Sequence, residues 1–130
     1  MKVTILTSLM LLSFGFILTV RADTLEDEYI ARLSSKDHRN SQGDRLDSAA
    51  AIIRQDRANF HKFGRQDDED ESDGFFASAN NRELLEKFLE RGSAEKSAIR
   101  SILNGTPLIR VRIYEGDDGR NYIRVSVISE

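Results

Sequence analysis

The chain contains 130 residues, no cysteine and a formal net charge of −3 at pH 7. Its length is sufficient for one domain, and without cysteine neither a disulfide bond nor a lipid anchor on a thiol can form. Six of the 22 acidic side chains fall within residues 67–73, and the composition has no basic footprint, so the sequence predicts no nucleic-acid partner.

The first 22 residues have the pattern of an export signal. One lysine precedes residues 3–20, which contain no charged side chain, and Val20 and Ala22 fit a cleavage site ahead of Asp23. The pattern predicts a signal peptide over residues 1–22 and an exported protein, either periplasmic or secreted. The alternative is an uncleaved anchor, because the apolar run approaches the minimum length of a membrane span. In both cases we expect membrane contact only through this segment.

The rest of the chain, residues 23–130, is predicted to form one small α+β domain. Three to four helices are expected first, followed by a C-terminal antiparallel β-hairpin packed on the helices. The first predicted helix covers residues 24–33 and opens with a capping box at Thr24 and Asp27. Its apolar side chains recur every fourth residue, at Leu25, Tyr29 and Leu33. Residues 34–43 are polar, end in glycine and are predicted to form a loop.

The strongest helical pattern covers residues 44–63. Its apolar positions step by three and four, and Gly64 provides a stop signal. Residues 65–74 follow as an acidic loop. Phe75 and Phe76, directly after this loop, are expected to return to the hydrophobic core.

Two shorter helices are predicted between the acidic loop and the hairpin. The first covers residues 80–91, opened by Asn80 and closed by Gly92. The second is capped by Ser93 and ends near Gly105. Their combined length is that of a helix-turn-helix, but an exported protein has little access to genomic DNA, and we do not assign DNA binding to them.

The last third of the chain alternates between apolar and polar side chains, which predicts the two strands of the hairpin. A two-residue turn would set Ile113 opposite Arg124, with an apolar and a charged side chain on one face. A three-residue turn at residues 117–119, with Gly119 left-handed, sets Ile113 opposite Ile123 instead. We therefore predict the three-residue turn.

In this register one face of the hairpin is aliphatic and the other carries arginine and tyrosine. We call the second the Arg/Tyr face: Arg110, Arg112, Tyr114, Tyr122 and Arg124. It sets Arg112 beside Arg124, and two opposed guanidinium groups favour an acidic partner. The leading hypothesis is a non-enzymatic exported protein that binds an unknown protein or an anionic envelope component through this face. The alternative is an ordinary solvated strand surface.

A two-stranded hairpin also leaves the outer edges of both strands unpaired. A strand from a partner, or the same strand from a second copy, can add to such an edge. The sequence therefore also predicts strand addition at the hairpin, including a homodimer formed through the hairpin edge.

The acidic loop suggests a second function, weak calcium binding. Glu69, Glu71 and Asp73 fall at alternating positions before Gly74, as in the first half of an EF-hand loop. The match is incomplete, because Asn80 stands where the EF-hand requires a bidentate glutamate. The alternatives are a solvated charge run and an acidic complement to the Arg/Tyr face.

A third hypothesis is a small hydrolase built around Asp56, Arg57 and His61. Asp56 falls on the apolar stripe of its predicted helix, where an unpaired carboxylate is costly to bury. The alternative is a structural ion pair with an arginine. No nucleophile motif, phosphate-binding loop or zinc signature is present, so the sequence predicts no cofactor and favours an interaction protein over an enzyme.

Overall fold

The computed structural model describes residues 15–19 and 21–130. Most of the predicted signal peptide, residues 1–14 and residue 20, lies outside the described residues. Within the described part the fold is α+β, with four α-helices, a short 3₁₀-helix (Ser35–His38) and four strands. In chain order the elements are β1 (Thr24–Arg32), α1 (Ala49–His61), α2 (Ala79–Glu83), α3 (Leu85–Arg91), β2 (Ser93–Ala94), α4 (Lys96–Asn104), β3 (Leu108–Glu115) and β4 (Asn121–Ser129).

The strands form one mixed sheet in the order β1-β3-β4-β2. Strand β3 lies at its centre, antiparallel to both β1 and β4, and the two-residue β2 runs parallel to β4. The helices cover one face of the sheet, where aliphatic side chains of the strands and helices form a single core. The other face carries the alternate side chains of the same strands, because successive residues of a strand point to opposite sides.

The prediction of a helix over residues 24–33 is wrong, because this segment is strand β1. A spacing of four residues is a repeat of both the helical and the strand period, so Leu25, Tyr29 and Leu33 fit either structure. The decisive contacts are non-local: β1 pairs with β3 along its length, with a bulge between Leu25 and Asp27. The sequence pattern predicted strands only at the C-terminus, and this prediction is wrong because β1 lies on the N-terminal side of the helices.

The other predicted helices exist, but several of their boundaries differ. Helix α1 begins at Ala49, where the Ser48 side chain accepts a hydrogen bond from the Ala51 amide. The predicted third helix is split at Leu84 into α2 and α3. Ser93 does not cap the fourth helix but belongs to β2. Phe76 is fully buried, as expected.

Strand β2 can lie against β4 because Gly92 precedes it. A Cβ atom at this position would lie 1.6 Å from the carbonyl oxygen of Ile123, inside the van der Waals contact distance. Gly92 does end helix α3, as predicted, but the contact with β4 is what requires glycine. The close approach sets Ser93 opposite Arg124 in the sheet.

The predicted hairpin register is confirmed. Ile113 pairs with Ile123, Arg112 with Arg124 and Tyr114 with Tyr122. Gly119 has a φ of 77°, the left-handed conformation expected of the last residue of the turn. The hairpin is nevertheless part of a larger sheet, so the prediction of two open edges is wrong: β3 is fully paired with β1, and β2 covers part of β4.

The acidic loop covers part of the outer edge of β1, at Ile30 and Arg32. The backbone amide of Ile30 donates to Glu71 Oε1 and that of Arg32 to Asp70 Oδ1, both at 2.8 Å. The backbone amide of Glu71 in turn donates to the Ile30 carbonyl oxygen at 2.8 Å. Carboxylates thus satisfy amides that would otherwise form an exposed sheet edge.

Candidate functional site

The Arg/Tyr face lies on the side of the sheet opposite the helices. The rings of Tyr114 and Tyr122 stack nearly parallel, with centroids 5.2 Å apart and an interplanar angle of 13°. The Arg124 guanidinium lies over both rings, 5.0 Å from the Tyr114 centroid and 5.5 Å from that of Tyr122. Such cation–π contacts restrict the arginine, and the edge of its guanidinium stays available for hydrogen bonding.

Arg112 and Arg110 have a carboxylate neighbour within the chain, Glu28 of β1. Arg112 Nε donates to Glu28 Oε2 at 2.6 Å, and Arg110 Nε lies 3.4 Å from Glu28 Oε1. The hydrogen bond that Arg112 donates to the Glu28 carboxylate raises the pKa of Arg112. Arg124 has no carboxylate partner among the described residues. The sequence prediction missed Glu28 because the segment that contains it was assigned to a helix.

A groove of about 560 Å³ adjoins the Arg/Tyr face, between β4 and the start of α4. Arg112 and Arg124 are among its lining residues, and the rest of its polar lining is Ser93, Glu95, Ser97, Ser101, Ser126 and Glu130. Ser101 Oγ donates to Glu130 Oε1 at 2.8 Å, so a carboxylate of the chain already binds a hydroxyl of this groove. The sequence pattern gave no sign of the groove, because its walls come from segments about 30 residues apart.

The hydrolase candidates lie in a buried cluster, which we call the Arg57 network: Asp56, Arg57, His61 and Asp73. Arg57 is 0% exposed and Asp56 1% exposed. Arg57 donates to Asp56 Oδ2 at 2.7 Å and to Asp73 Oδ1 at 2.9 Å, and its guanidinium lies 4.0 Å from the centre of the Tyr29 ring. His61 Nε2 lies 2.8 Å from Asp73 Oδ1.

This geometry is that of a structural network. A substrate cannot reach the Asp56 and Arg57 side chains, because both are enclosed by the core. Burial raises the pKa of the Asp56 carboxyl group, and the neighbouring Arg57 opposes this effect. The buried ion pair instead joins α1 to the acidic loop, through Asp73 and through the Glu71 carbonyl oxygen, which accepts from Arg57 at 2.9 Å.

The calcium candidates do not converge. Glu69 binds Arg32, Glu71 accepts from the backbone amide of Ile30, and Asp73 binds Arg57. Among the described residues no group of three or more acidic, histidine or cysteine side chains is arranged to hold a metal ion. Weak calcium binding by the acidic loop stays a prediction, and its carboxylates are engaged within the chain.

In residues 15–19 and 21–130 no helix is both long and apolar enough to cross a membrane. In comparisons with known proteins, no protein family, no curated protein and no solved structure matched the chain.

Proposed function

We propose that this protein is an exported, non-enzymatic interaction protein that binds an acidic segment of a partner protein through its Arg/Tyr face. The observation that carries the proposal is the placement of Arg124. Its guanidinium lies on two stacked tyrosine rings, next to Arg112, and has no carboxylate partner among the described residues. A restrained, exposed arginine beside tyrosine rings has the composition of a binding hot spot.

The surrounding charges favour a protein segment over a uniformly anionic polymer. Glu28 faces Arg112, and two more acidic side chains, Glu95 and Glu130, line the adjoining groove. A polymer with a negative charge on every unit would meet these carboxylates as well as the arginines. A peptide with spaced carboxylates can place one at Arg124 and meets fewer of these negative charges than such a polymer, so the site discriminates by charge position.

Export is part of the proposal and is supported by the leader pattern in the sequence. Within the described part of that leader, Phe16, Ile17 and Leu18 are 90%, 86% and 82% exposed. The core of the domain closes without these side chains. Cleavage after Ala22 would also retain Asp23, whose Oδ2 accepts a hydrogen bond from the Tyr122 hydroxyl on the Arg/Tyr face.

The proposal is tested with the double variant Arg112→Ser/Arg124→Ser. A matched control, Arg65→Ser/Arg100→Ser, removes the same charge at exposed positions whose side chains form no ion pair with a described residue. Tagged proteins are recovered from the exported fraction, and bound material is identified by mass spectrometry. We expect the first variant to lose the partner and the control to retain it, with both melting within a few degrees of the wild type.

Three results would contradict the proposal. Recovery of the same partner by Arg112→Ser/Arg124→Ser would show that the Arg/Tyr face does not bind it. Recovery of a polysaccharide or other anionic polymer in place of a protein would refute the partner class. Loss of folding in the double variant alone would make the two arginines structural.

A further inference from the structure

We infer that the groove beside β4 takes up an extended segment of the acidic partner as an additional strand of the sheet. This inference rests on the proposed function and specifies how the partner is held. It concerns the backbone edge of β4, whereas the proposed function concerns the guanidinium groups on its face. The two can therefore be tested separately.

The outer edge of β4 is only partly paired. Strand β2 pairs with β4 only at Arg124 and Val125, and the chain then turns away into α4. Beyond this point β4 continues to Ser129 and pairs only with β3 among the described residues. Every second residue of such a segment directs its amide and carbonyl groups to the unpaired side, where another strand can bind them.

The groove lies along this edge. Val125, Ser126 and Val127 of β4 line it together with Ser97 and Ala98 of α4. The added chain would extend the line of β2, with α4 on one side and the Arg/Tyr face on the other. A strand in this position adds backbone hydrogen bonds to the charge pairing of the proposed function.

The two faces of β4 determine which residue types the added segment carries. Arg124 and Ser126 belong to the face opposite the helices, whereas Val125 and Val127 belong to the face that α4 covers. Side chains of an added strand alternate in the same way. The inferred ligand is therefore an extended segment in which acidic residues alternate with small apolar residues.

Glu130 gives this site a competing carboxylate. It lines the groove together with Arg124, and it accepts a hydrogen bond from Ser101 on α4. An incoming acidic segment would meet this negative charge and would have to displace the Glu130–Ser101 contact. Replacing Glu130 with glutamine should therefore strengthen binding of an acidic segment, since it removes the repulsion and keeps the side-chain size.

The test uses a fluorescent peptide of alternating valine and aspartate, with anisotropy as the readout. A second peptide of the same sequence carries N-methyl groups on alternate backbone amides, which removes strand pairing and keeps every charge. We expect the first peptide to bind the full domain and the methylated peptide to bind at least about tenfold more weakly. Glu130→Gln should bind the unmethylated peptide several-fold more tightly.

A steric variant tests the place of binding. Ser97→Trp fills the groove from an exposed position of α4 and leaves both arginines unchanged. Asn104→Trp, exposed on the same helix and outside the lining of the groove, is the control. We expect Ser97→Trp to reduce peptide affinity at least about tenfold and Asn104→Trp to leave it within about twofold.

The outcomes separate the two proposals. Equal affinity for the methylated and unmethylated peptides, or no effect of Ser97→Trp, overturns strand addition; if Arg112→Ser/Arg124→Ser still abolishes binding, the proposed function stands. Full binding of the unmethylated peptide by Arg112→Ser/Arg124→Ser overturns the proposed function and leaves strand addition intact. No binding of the unmethylated peptide at millimolar concentration overturns strand addition.

Discussion

Replacing Arg57 with methionine preserves most of the buried volume but removes the cation that joins α1 to the acidic loop. Asp56 and Asp73 would then lose a charged partner at 2.7 Å and 2.9 Å, and both carboxylates are buried. Breaking a buried ion pair by removing one partner typically costs about 3–5 kcal/mol. Because a domain of this size is stable by roughly 5–15 kcal/mol, the variant should lose a large part of its free energy of unfolding at neutral pH.

The assay is equilibrium unfolding in urea for a double-mutant cycle between Arg57→Met and Asp56→Asn. In the wild type we expect Asp56→Asn to destabilise, since Arg57 loses a partner. In the Arg57→Met background the same change should stabilise, because it removes an unpaired buried charge. The loss of free energy of unfolding caused by Arg57→Met should also become smaller as the pH falls, since burial favours protonation of Asp56 in the folded state.

The matched control is Arg54→Met, on the same helix, whose half-exposed side chain lies 4.0 Å from Glu83. It should change the free energy of unfolding by less than about 1 kcal/mol. A loss below about 1 kcal/mol for Arg57→Met, or the same sign for Asp56→Asn in both backgrounds, would refute the structural role of the Arg57 network.

Three further changes follow from contacts described above. Gly92→Ala should destabilise by about 1–3 kcal/mol or more in urea unfolding, because its methyl group would collide with the Ile123 carbonyl; a neutral effect would contradict the placement of β2. Burial raises the pKa of Asp37 to about 6. The free energy of unfolding of the wild type should therefore rise by up to about 3 kcal/mol relative to Asp37→Asn as the pH falls from about 7 to about 4. A difference between the two proteins that does not change with pH would disprove this. Glu28→Gln should increase affinity for the valine–aspartate peptide several-fold, since it releases Arg112; unchanged affinity would show that Arg112 does not contact the ligand.

The hairpin was predictable because its determinants are local. Strict alternation fixes which side chains share a face, and a glycine with positive φ fixes the turn. A shift of the turn by one residue would have set Ile113 opposite Arg124, so the hydrophobic pattern alone selected the register. The pairing of Arg112 with Arg124 and of Tyr114 with Tyr122 then followed without knowledge of the rest of the fold.

Strand β1 was not predictable from the same kind of pattern. Its buried side chains Tyr29 and Ala31 alternate with outward ones, and Leu33 directly after the strand continues this pattern. Leu25, Tyr29 and Leu33, however, also match one face of a helix. The choice between the two depends on β3, which lies about 80 residues later in the chain. Local sequence carries no information on that pairing. Because the segment was assigned to a helix, the contact of Glu28 with the arginines of β3 was not predicted.

The candidate site was predictable in part. The arginine and tyrosine side chains of the Arg/Tyr face belong to one hairpin, so their arrangement followed from the register of that hairpin. The groove depends on where α4 lies relative to β4, and α4 follows β2, which lies against β4 next to the close contact of Gly92 with Ile123. A glycine at the end of a helix usually indicates a left-handed cap, and nothing in the sequence distinguishes that use from a close approach.

The two outer edges of the sheet are treated differently, and the difference bears on function. The acidic loop gives one carboxylate each to the backbone amides of Ile30 and Arg32 in β1, and the Glu71 amide donates to the Ile30 carbonyl oxygen. Arg57 holds the loop in place. A loop that did nothing more than solvate the surface would not need this buried anchor. On this side buried charges anchor the covering loop, whereas on the other side β2 pairs with two residues of β4 and residues 126–129 pair only with β3 among the described residues. An open edge next to two arginines is the feature from which we infer strand binding, because its unpaired amide and carbonyl groups can pair with an added strand.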